Sequence, residues 1–263
     1  AAIVVTEPDT RKAAPLQLIL RQLEERGVPH FLFINKIDKA EGRIRDLLPA
    51  LQPASRKPLV LRQIPIWENG IATGFVDLAL ERAFVYREHA ASEVVEMPKT
   101  LAERKQEARF NMLEKLADYD DHLMEQLLSD IEPPRDRVFD DLAREFREGL
   151  IVPVLLGSAE NGNGIVRLLK VLRHEAPFVS DTVKRLGLEN VASAAHIVKS
   201  TYSAHGGKLS IARVLAGELG DGTEVTGPHG EDRAAGKRRG GSGLQREGCS
   251  SRTGCGAGRR CRQ

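Results

Sequence analysis

The chain has 263 residues, of which 41% are hydrophobic and 29% are charged, a composition typical of folded globular proteins rather than disordered ones. It contains no run of about 18 apolar residues, so we expect no membrane span. Its first residues carry no basic leader, so we expect no secretory signal. Because an apolar strand starts at residue 1 without a Met, we expect that the protein begins further upstream.

The segment 234–263 differs in composition from the rest of the chain. It carries a net charge of +7, against −5 for residues 1–233, and it holds eight glycines and all three cysteines, Cys249, Cys255 and Cys261. One interpretation is a basic arm for nucleic acid. The favoured interpretation is a disordered or frame-shifted tail, because it contains a single large aliphatic residue and leaves the preceding β domain unfinished. A zinc site is disfavoured, since the cysteine spacing is not Cys-x-x-Cys.

Three short apolar segments predict buried strands, namely Ala2–Thr6, Phe31–Ile34 and Ile151–Leu156. A helix is predicted from Asp9 or Thr10 to Arg26, and another from about Gly164 to His174. Continuous apolar strands that alternate with helices are typical of a parallel sheet covered on both faces. The fold class predicted from this order is therefore α/β.

More than a hundred residues separate the second and third of these strands, and they have a pattern of their own. They begin with β-like stretches at 59–66 and 75–78, followed by a long helical region over about 101–128 and a helix over about 135–147. We expect this block to be an α+β subdomain inserted into the parallel sheet. After Pro177 the pattern turns to β at 196–200 and 208–215, which predicts the start of an all-β domain.

The residues best suited to bind a ligand are Asn35-Lys36-Ile37-Asp38, directly after the second strand. The carboxyl edge of a parallel sheet is where such folds bind ligands. Guanine presents two donors on one edge, which a carboxylate such as Asp38 accepts as a pair, whereas adenine lacks them. Asn35 is suited to tie the loop to its neighbours, and the Lys36 stem to lie along the purine face. For this motif alone, a solvated turn is the competing interpretation.

A second strand end strengthens the assignment to guanine. Gly157-Ser158-Ala159 follows the third strand and matches the Ser-Ala loop that backs guanine in GTP-binding proteins. In this assignment the Ala159 N–H would donate to guanine O6, and Ser158 would brace the loop. We therefore predict that Asp38 and Ala159 converge on one purine ring, although 120 residues separate Asp38 from Ser158.

That long spacing, together with several local motifs, resembles the elongation factor G family and its release factor 3-like relatives. Segment 74–78 (Gly-Phe-Val-Asp-Leu) is similar to the family's Gly-x-Val-Asp-Leu, and 151–159 is close to its Pro-Val-x-x-Gly-Ser-Ala. Segment 207–214 resembles the Gly-Lys-Leu-x-x-x-Arg-Val of the second domain. The resemblance covers about residues 1–232. One departure is Glu160-Asn161-Gly162-Asn163-Gly164, where the family has a Lys or Arg, as in a divergent paralogue.

The resemblance implies a partial P-loop GTPase parallel sheet with an inserted α+β subdomain, followed by the start of a β-barrel domain. The implied divisions are 1–58 and 151–190 for the GTPase domain, 59–150 for the insert, 191–233 for the β-barrel start and 234–263 for the tail. It implies a monomer that binds GTP or GDP and acts on the ribosome, both rRNA and ribosomal proteins, in translocation. We expect a cytoplasmic location, which the lack of cysteine in residues 1–233 fits.

The phosphate half of a GTP site has no counterpart in this sequence. No Gly-x-x-x-x-Gly-Lys-Ser/Thr occurs, and no Asp is followed three residues later by Gly. Phosphoryl transfer depends on those parts, so we assign no catalytic residue, expect Mg²⁺ only in the intact parent, and expect no GTP hydrolysis by this chain. The alternatives are a non-hydrolysing ribosome-associated module and an aberrant truncated gene product.

Overall fold

The computed structural model describes residues 1–40, 44–87, 90–203, 207–220, 223–226 and 232–234. The chain divides into two compact units, Ala1–Glu189 and Asn190–Gln263. The predictions made for the basic tail and for its three cysteines lie outside the described residues.

The first unit is built on a four-stranded parallel sheet. Its strands are β1 (Ala2–Thr6), β2 (His30–Ile34), β3 (Leu59–Leu61) and β8 (Val152–Leu156), in the spatial order β1-β2-β8-β3. All five residues of β2 and all five of β8 are buried, as continuous apolar runs predict for strands covered on both faces. The α/β class and the three predicted parallel strands are confirmed.

Helices cover both faces of this sheet. On one face lie α1 (Ala13–Glu25) and α2 (Ile44–Leu51), whose Leu20 and Leu51 pack with Leu32 and Ile34. On the other face, Phe31 and Phe33 pack with helices of the inserted segment. Successive residues of β2 thus enter opposite cores because strand side chains alternate. Each fully buried side chain of this size contributes about 1.5–3 kcal/mol of transfer free energy.

The inserted segment contributes an antiparallel sheet and three helices. The sheet strands are β4 (Gln63–Glu68), β5 (Ile71–Asp77), β6 (Arg82–Arg87) and β7 (Ala90–Val95), in the order β4-β5-β6-β7. The helices are α3 (Ala102–Ala117), α4 (Asp121–Leu128) and α5 (Arg135–Glu148). The chain returns through β8 to α6 (Ile165–Glu175) and α7 (Val179–Arg185).

The sequence predicted neither α2 nor α7, and two predicted elements differ in the structure. The stretch 59–66 was expected to belong wholly to the insert, but its first part is β3, which pairs with β8 in the parallel sheet. The chain leaves that sheet only at Arg62, whose carbonyl accepts from the Leu78 N–H (2.9 Å) instead of from β8. The predicted single helix over 101–128 is two helices, because the Asp120 side chain caps α4 by accepting from the Leu123 N–H (3.0 Å).

The second unit contains two antiparallel pairs among its described residues. Strands β9 (Ala194–Ser203) and β10 (Gly207–Ala216) form one ribbon, and β11 (Glu224–Thr226) and β12 (Asp232–Ala234) form the other. The two longer strands contain the predicted segments 196–200 and 208–215. Short antiparallel strands are the expected start of an all-β domain.

Candidate functional site

The loop Asn35–Asp38 lies at the carboxyl end of β2, in the centre of the parallel sheet. The Asn35 N–H donates to the Thr6 carbonyl at the end of β1 (2.8 Å), which fixes where the loop leaves the sheet. Lys36 adopts a left-handed conformation with φ 60°, and a 3-10 turn follows over Ile37–Lys39. Ile37 is fully buried and anchors that turn in the core, so its polar neighbours are held at the sheet edge.

The second predicted loop follows β8, the strand next to β2. The Gly157 N–H donates to the Ile34 carbonyl (3.0 Å), and the Ser158 N–H donates to the Asn163 carbonyl (3.0 Å). A Cβ on Gly157 would lie 2.4 Å from the Asn163 carbonyl oxygen, so only glycine fits there. Ser158 is buried, and its hydroxyl accepts from Asn161 Nδ2 (3.3 Å). These contacts hold the turn together around Ser158; its role at a guanine site stays a prediction.

The two loops meet, although they are far apart along the chain. The Ala159 N–H donates to Asn35 Oδ1 at 2.8 Å across a separation of 124 residues. A second hydrogen bond runs from the Ile37 N–H to the Gly157 carbonyl (3.1 Å). Lys39 and Glu160 add an exposed ion pair (3.1 Å) between the same loops. The Asn35 side chain therefore joins the loop after β2 to the loop after β8.

Ala159 differs from its predicted contact in one respect. Its N–H was expected to meet guanine O6, and here it donates to the Asn35 carboxamide. A base bound at this position would share that N–H with Asn35 or draw it away. The role of Ala159 toward guanine stays a prediction.

Asp38 has a free acceptor of the kind that a guanine edge needs. Its Oδ1 atom is buried and has no hydrogen-bond partner among the described residues. A buried acceptor without a donor costs about 1–3 kcal/mol, so the site gains when a donor arrives. A carboxylate can accept from two N–H donors on one ring edge, so the chemistry of Asp38 is compatible with guanine.

Two further residues beside these loops, Glu7 and Tyr86, were not found from the sequence. Glu7 lies just past the end of β1 and pairs with Lys36 Nζ, so the Lys36 ammonium does not stand free above a purine face. The hydrogen bond from Lys36 lowers the pKa of Glu7. Tyr86 of the inserted sheet lies near Asp38. Burial raises the pKa of the Tyr86 phenol, and the Asp38 charge raises it further. Both residues lie outside the two loop motifs, so only the tertiary structure brings them to this site.

In the part of the chain that the structure describes, no group of three or more His, Cys, Asp or Glu is placed so that it could hold a metal ion. Among those same residues, no helix is both long and apolar enough to cross a membrane.

Comparison with known proteins places the chain in a family. No family model matches it. A curated protein of Synechocystis sp. (strain ATCC 27184 / PCC 6803 / Kazusa), described as an elongation factor G-like protein, is 38% identical over 228 residues, which is 86% of this chain. The chain spans only 34% of the length of that relative. A crystal structure of a Thermus thermophilus protein superposes with a TM-score of 0.65 at 25% identity, over 80% of this chain and 31% of the other. The chain thus has a P-loop GTPase-like α/β fold and belongs to the elongation factor G-like family of translation proteins.

Proposed function

We propose that this chain carries the guanine-recognition half of a GTP site, formed by Asn35, Lys36, Asp38, Ser158 and Ala159. The observation that carries the proposal is the 2.8 Å hydrogen bond from the Ala159 N–H to Asn35 Oδ1. It joins two strand-end loops at the edge of a parallel sheet where such folds bind ligands. Each loop alone is a common turn; together they supply acceptors and donors on one surface.

Asp38 determines the base specificity in this proposal. Its buried, unpartnered Oδ1 would accept from the guanine N1–H or the 2-amino group, and its other oxygen from the second of these donors. Adenine offers no such pair and would leave the acceptor unsatisfied, which costs about 1–3 kcal/mol. Ser158 acts through the loop rather than on the base, because its hydroxyl is buried and bonded to Asn161.

For the intact protein we propose GTP binding and hydrolysis coupled to ribosomal translocation, with rRNA and ribosomal proteins as partners, Mg²⁺ at the phosphates and a cytoplasmic location. The family relationship supports this coarse assignment. The 263 residues contain neither phosphate-binding motif. We therefore propose that this chain as given does not turn over GTP, because positioning of the phosphates supplies the rate and the base supplies only specificity.

A non-hydrolysing ribosome-associated module is the second candidate. The missing phosphate motifs favour it, since weak or absent nucleotide binding would leave only protein and RNA contacts. Binding of GDP in preference to ADP at the predicted loops would favour the guanine site, and its absence would favour the module.

The test is a nuclear magnetic resonance titration of the chain with GDP and, in parallel, with ADP. We expect GDP to shift the amide signals of Asn35 and Ala159, and ADP to leave them in place. Asp38→Asn should weaken GDP binding by about tenfold or more and favour the xanthosine diphosphate, whose 2-oxo group needs a donor. Asp118→Asn is the matched control, because Asp118 is an exposed carboxylate at the end of α3.

Equal responses to GDP and ADP, or an unchanged base preference in Asp38→Asn, would overturn the guanine assignment. A phosphate-release assay with GTP completes the test. Turnover by this chain would contradict the expected inactivity.

A further inference from the structure

The polar residues at the base of the inserted sheet contact the segment that carries the second nucleotide loop. Arg62, Gln63 and Asp77, here called the base clamp, are 0%, 1% and 0% exposed. Burying charged and amide groups of this kind costs free energy that hydrogen bonds to specific partners offset. Each of the three has a partner in β8 or α6, the two elements that flank the loop 157–164.

Gln63 completes a hydrogen-bond ladder at a position where the backbone cannot. Alternate backbone N–H groups of β8 donate to carbonyls in and beside β3, beginning with the Val152 N–H, which donates to the Pro58 carbonyl (3.0 Å). The same repeat would give the Leu156 N–H the carbonyl of Arg62. That carbonyl is taken by the Leu78 N–H because the chain turns into the inserted sheet at this point.

The Gln63 side chain replaces the missing backbone acceptor. Its Oε1 accepts from the Leu156 N–H at 2.8 Å, and both groups are buried. Leu156 is the last residue of β8 and directly precedes Gly157. Without an acceptor here, a buried N–H at the start of the loop would be unsatisfied, at a cost of about 1–3 kcal/mol.

Asp77 and Arg62 hold the other side of the loop through α6. Asp77 lies opposite Gln63 in the β4–β5 pairing. Its Oδ2 accepts from Arg167 Nε (2.7 Å) in the first turn of α6, while its Oδ1 accepts from the Ala79 and Leu80 N–H groups. Arg62 donates from both terminal guanidinium nitrogens, Nη1 and Nη2, to Glu175, the last residue of α6 (2.7 and 3.1 Å).

The base clamp thus fixes the strand before the loop and both ends of the helix after it. We propose that Arg62, Gln63 and Asp77 are positioning residues for the loop 157–164, so that the base of the insert is a structural part of the guanine site. This inference rests on the proposed guanine-binding function. No hydrogen bond or ion pair among the described residues joins the three side chains to the loops Asn35–Asp38 or Ser158–Ala159; they act through Leu156, Arg167 and Glu175.

The experiment measures amide hydrogen exchange in the whole chain, residue by residue. Gln63→Met keeps the volume of the side chain and removes the acceptor. We expect the Gly157 and Ser158 amides to exchange about tenfold faster or more in this variant, because the Leu156 N–H loses its partner. Amides of α1, which the base clamp does not contact, should keep their exchange rates.

Two more variants complete the design. Asp77→Asn keeps an acceptor for the Ala79 and Leu80 N–H groups but loses the ion pair with Arg167, and it should accelerate exchange in the first turn of α6. Arg87→Ala, at an exposed ion pair of the same inserted sheet, is the matched control and should leave the loop unchanged.

The outcomes separate this inference from the proposed function. Unchanged Gly157 and Ser158 exchange in Gln63→Met overturns the inference, and so does uniform acceleration across the chain, which would mean global destabilisation alone. A GDP titration of the same variants reports on the guanine site. If the unsubstituted chain binds no GDP, the proposed function fails while the exchange data still decide whether the clamp positions the loop. If it binds, Gln63→Met should weaken GDP about tenfold.

Discussion

The two edges of the inserted sheet are built from similar lengths of chain but lie in different surroundings. At the base, β4 has its first four residues buried, whereas β7 at the rim has none. Both edges carry ion pairs. Arg62 and Glu175 at the base are 0% and 5% exposed in their side chains, and Arg87 and Glu93 at the rim are 53% and 58% exposed. Strand formation and charge pairing therefore do not by themselves indicate stability; coverage by neighbouring layers decides it.

The largest expected effect comes from breaking the buried pair at the base. Glu175→Gln removes the carboxylate that Arg62 binds directly in the core, and we expect the free energy of unfolding to fall by about 3–5 kcal/mol. Urea denaturation measures this loss. The double variant Arg62→Met with Glu175→Leu should recover most of the stability, and if it does not, packing rather than charge would explain the single variant.

The next effect compares apolar residues at the two edges. Leu78, next to the base, is fully buried, and Leu78→Ala should cost about 2–5 kcal/mol through lost transfer free energy and the cavity left behind. Val94 in the rim strand is 55% exposed, and Val94→Ala should change the free energy of unfolding by less than about 0.5 kcal/mol. Equal losses would mean that the rim is covered in solution.

A smaller effect concerns pH and the buried carboxyl groups of α5. Burial raises the pKa of Glu145 to about 8, in spite of the nearby Arg144 and with help from the negative charges of Asp141 and Asp120. Between the unfolded and folded pKa values the folded state therefore keeps a proton that the unfolded state has lost. The free energy of unfolding should fall as pH rises from about 4.5 to 8. We expect Glu145→Gln to flatten this slope in urea titrations at several pH values.

Folding shifts the pKa of Asp120 in the opposite direction to that of Glu145, so the two carboxyl groups affect stability in different pH ranges. Burial opposes ionisation there, but the Leu123 N–H, Arg144 and Arg137 outweigh it and lower its pKa to about 2. The contribution of Asp120 to stability is present above the unfolded pKa of about 3.9 and is lost as pH falls toward 2.

A Glu145→Gln variant that kept the slope of stability against pH between pH 5 and 8 would assign that slope to another group.

The smallest effect is expected at the rim pair. A double-mutant cycle on Arg87 and Glu93 should give a coupling of about 0–1 kcal/mol that weakens as salt is added, because both side chains face water. A coupling as large as that at the base would remove the distinction between the two edges.

The sequence by itself predicted three of the four parallel strands, the approximate bounds of α1, α5 and α6, and the two loops that follow β2 and β8. Apolar runs such as 31–34 can be buried on both faces in only a few architectures, and Asn35, Asp38 and the Ser158–Ala159 pair form a pattern that suits the chemistry of guanine. Local patterns of this kind need no knowledge of distant segments.

The tertiary structure alone decided what those loops contact and what holds them. The bond between Ala159 and Asn35, the pairing of Lys36 with Glu7 and the support of Leu156 by Gln63 each join residues that are distant along the chain. The structure also shows that 59–61 pairs with β8 in the parallel sheet and that the predicted helix over 101–128 is interrupted at Asp120. These features depend on which side chains meet after folding, and hydrophobic periodicity carries no information about such pairs.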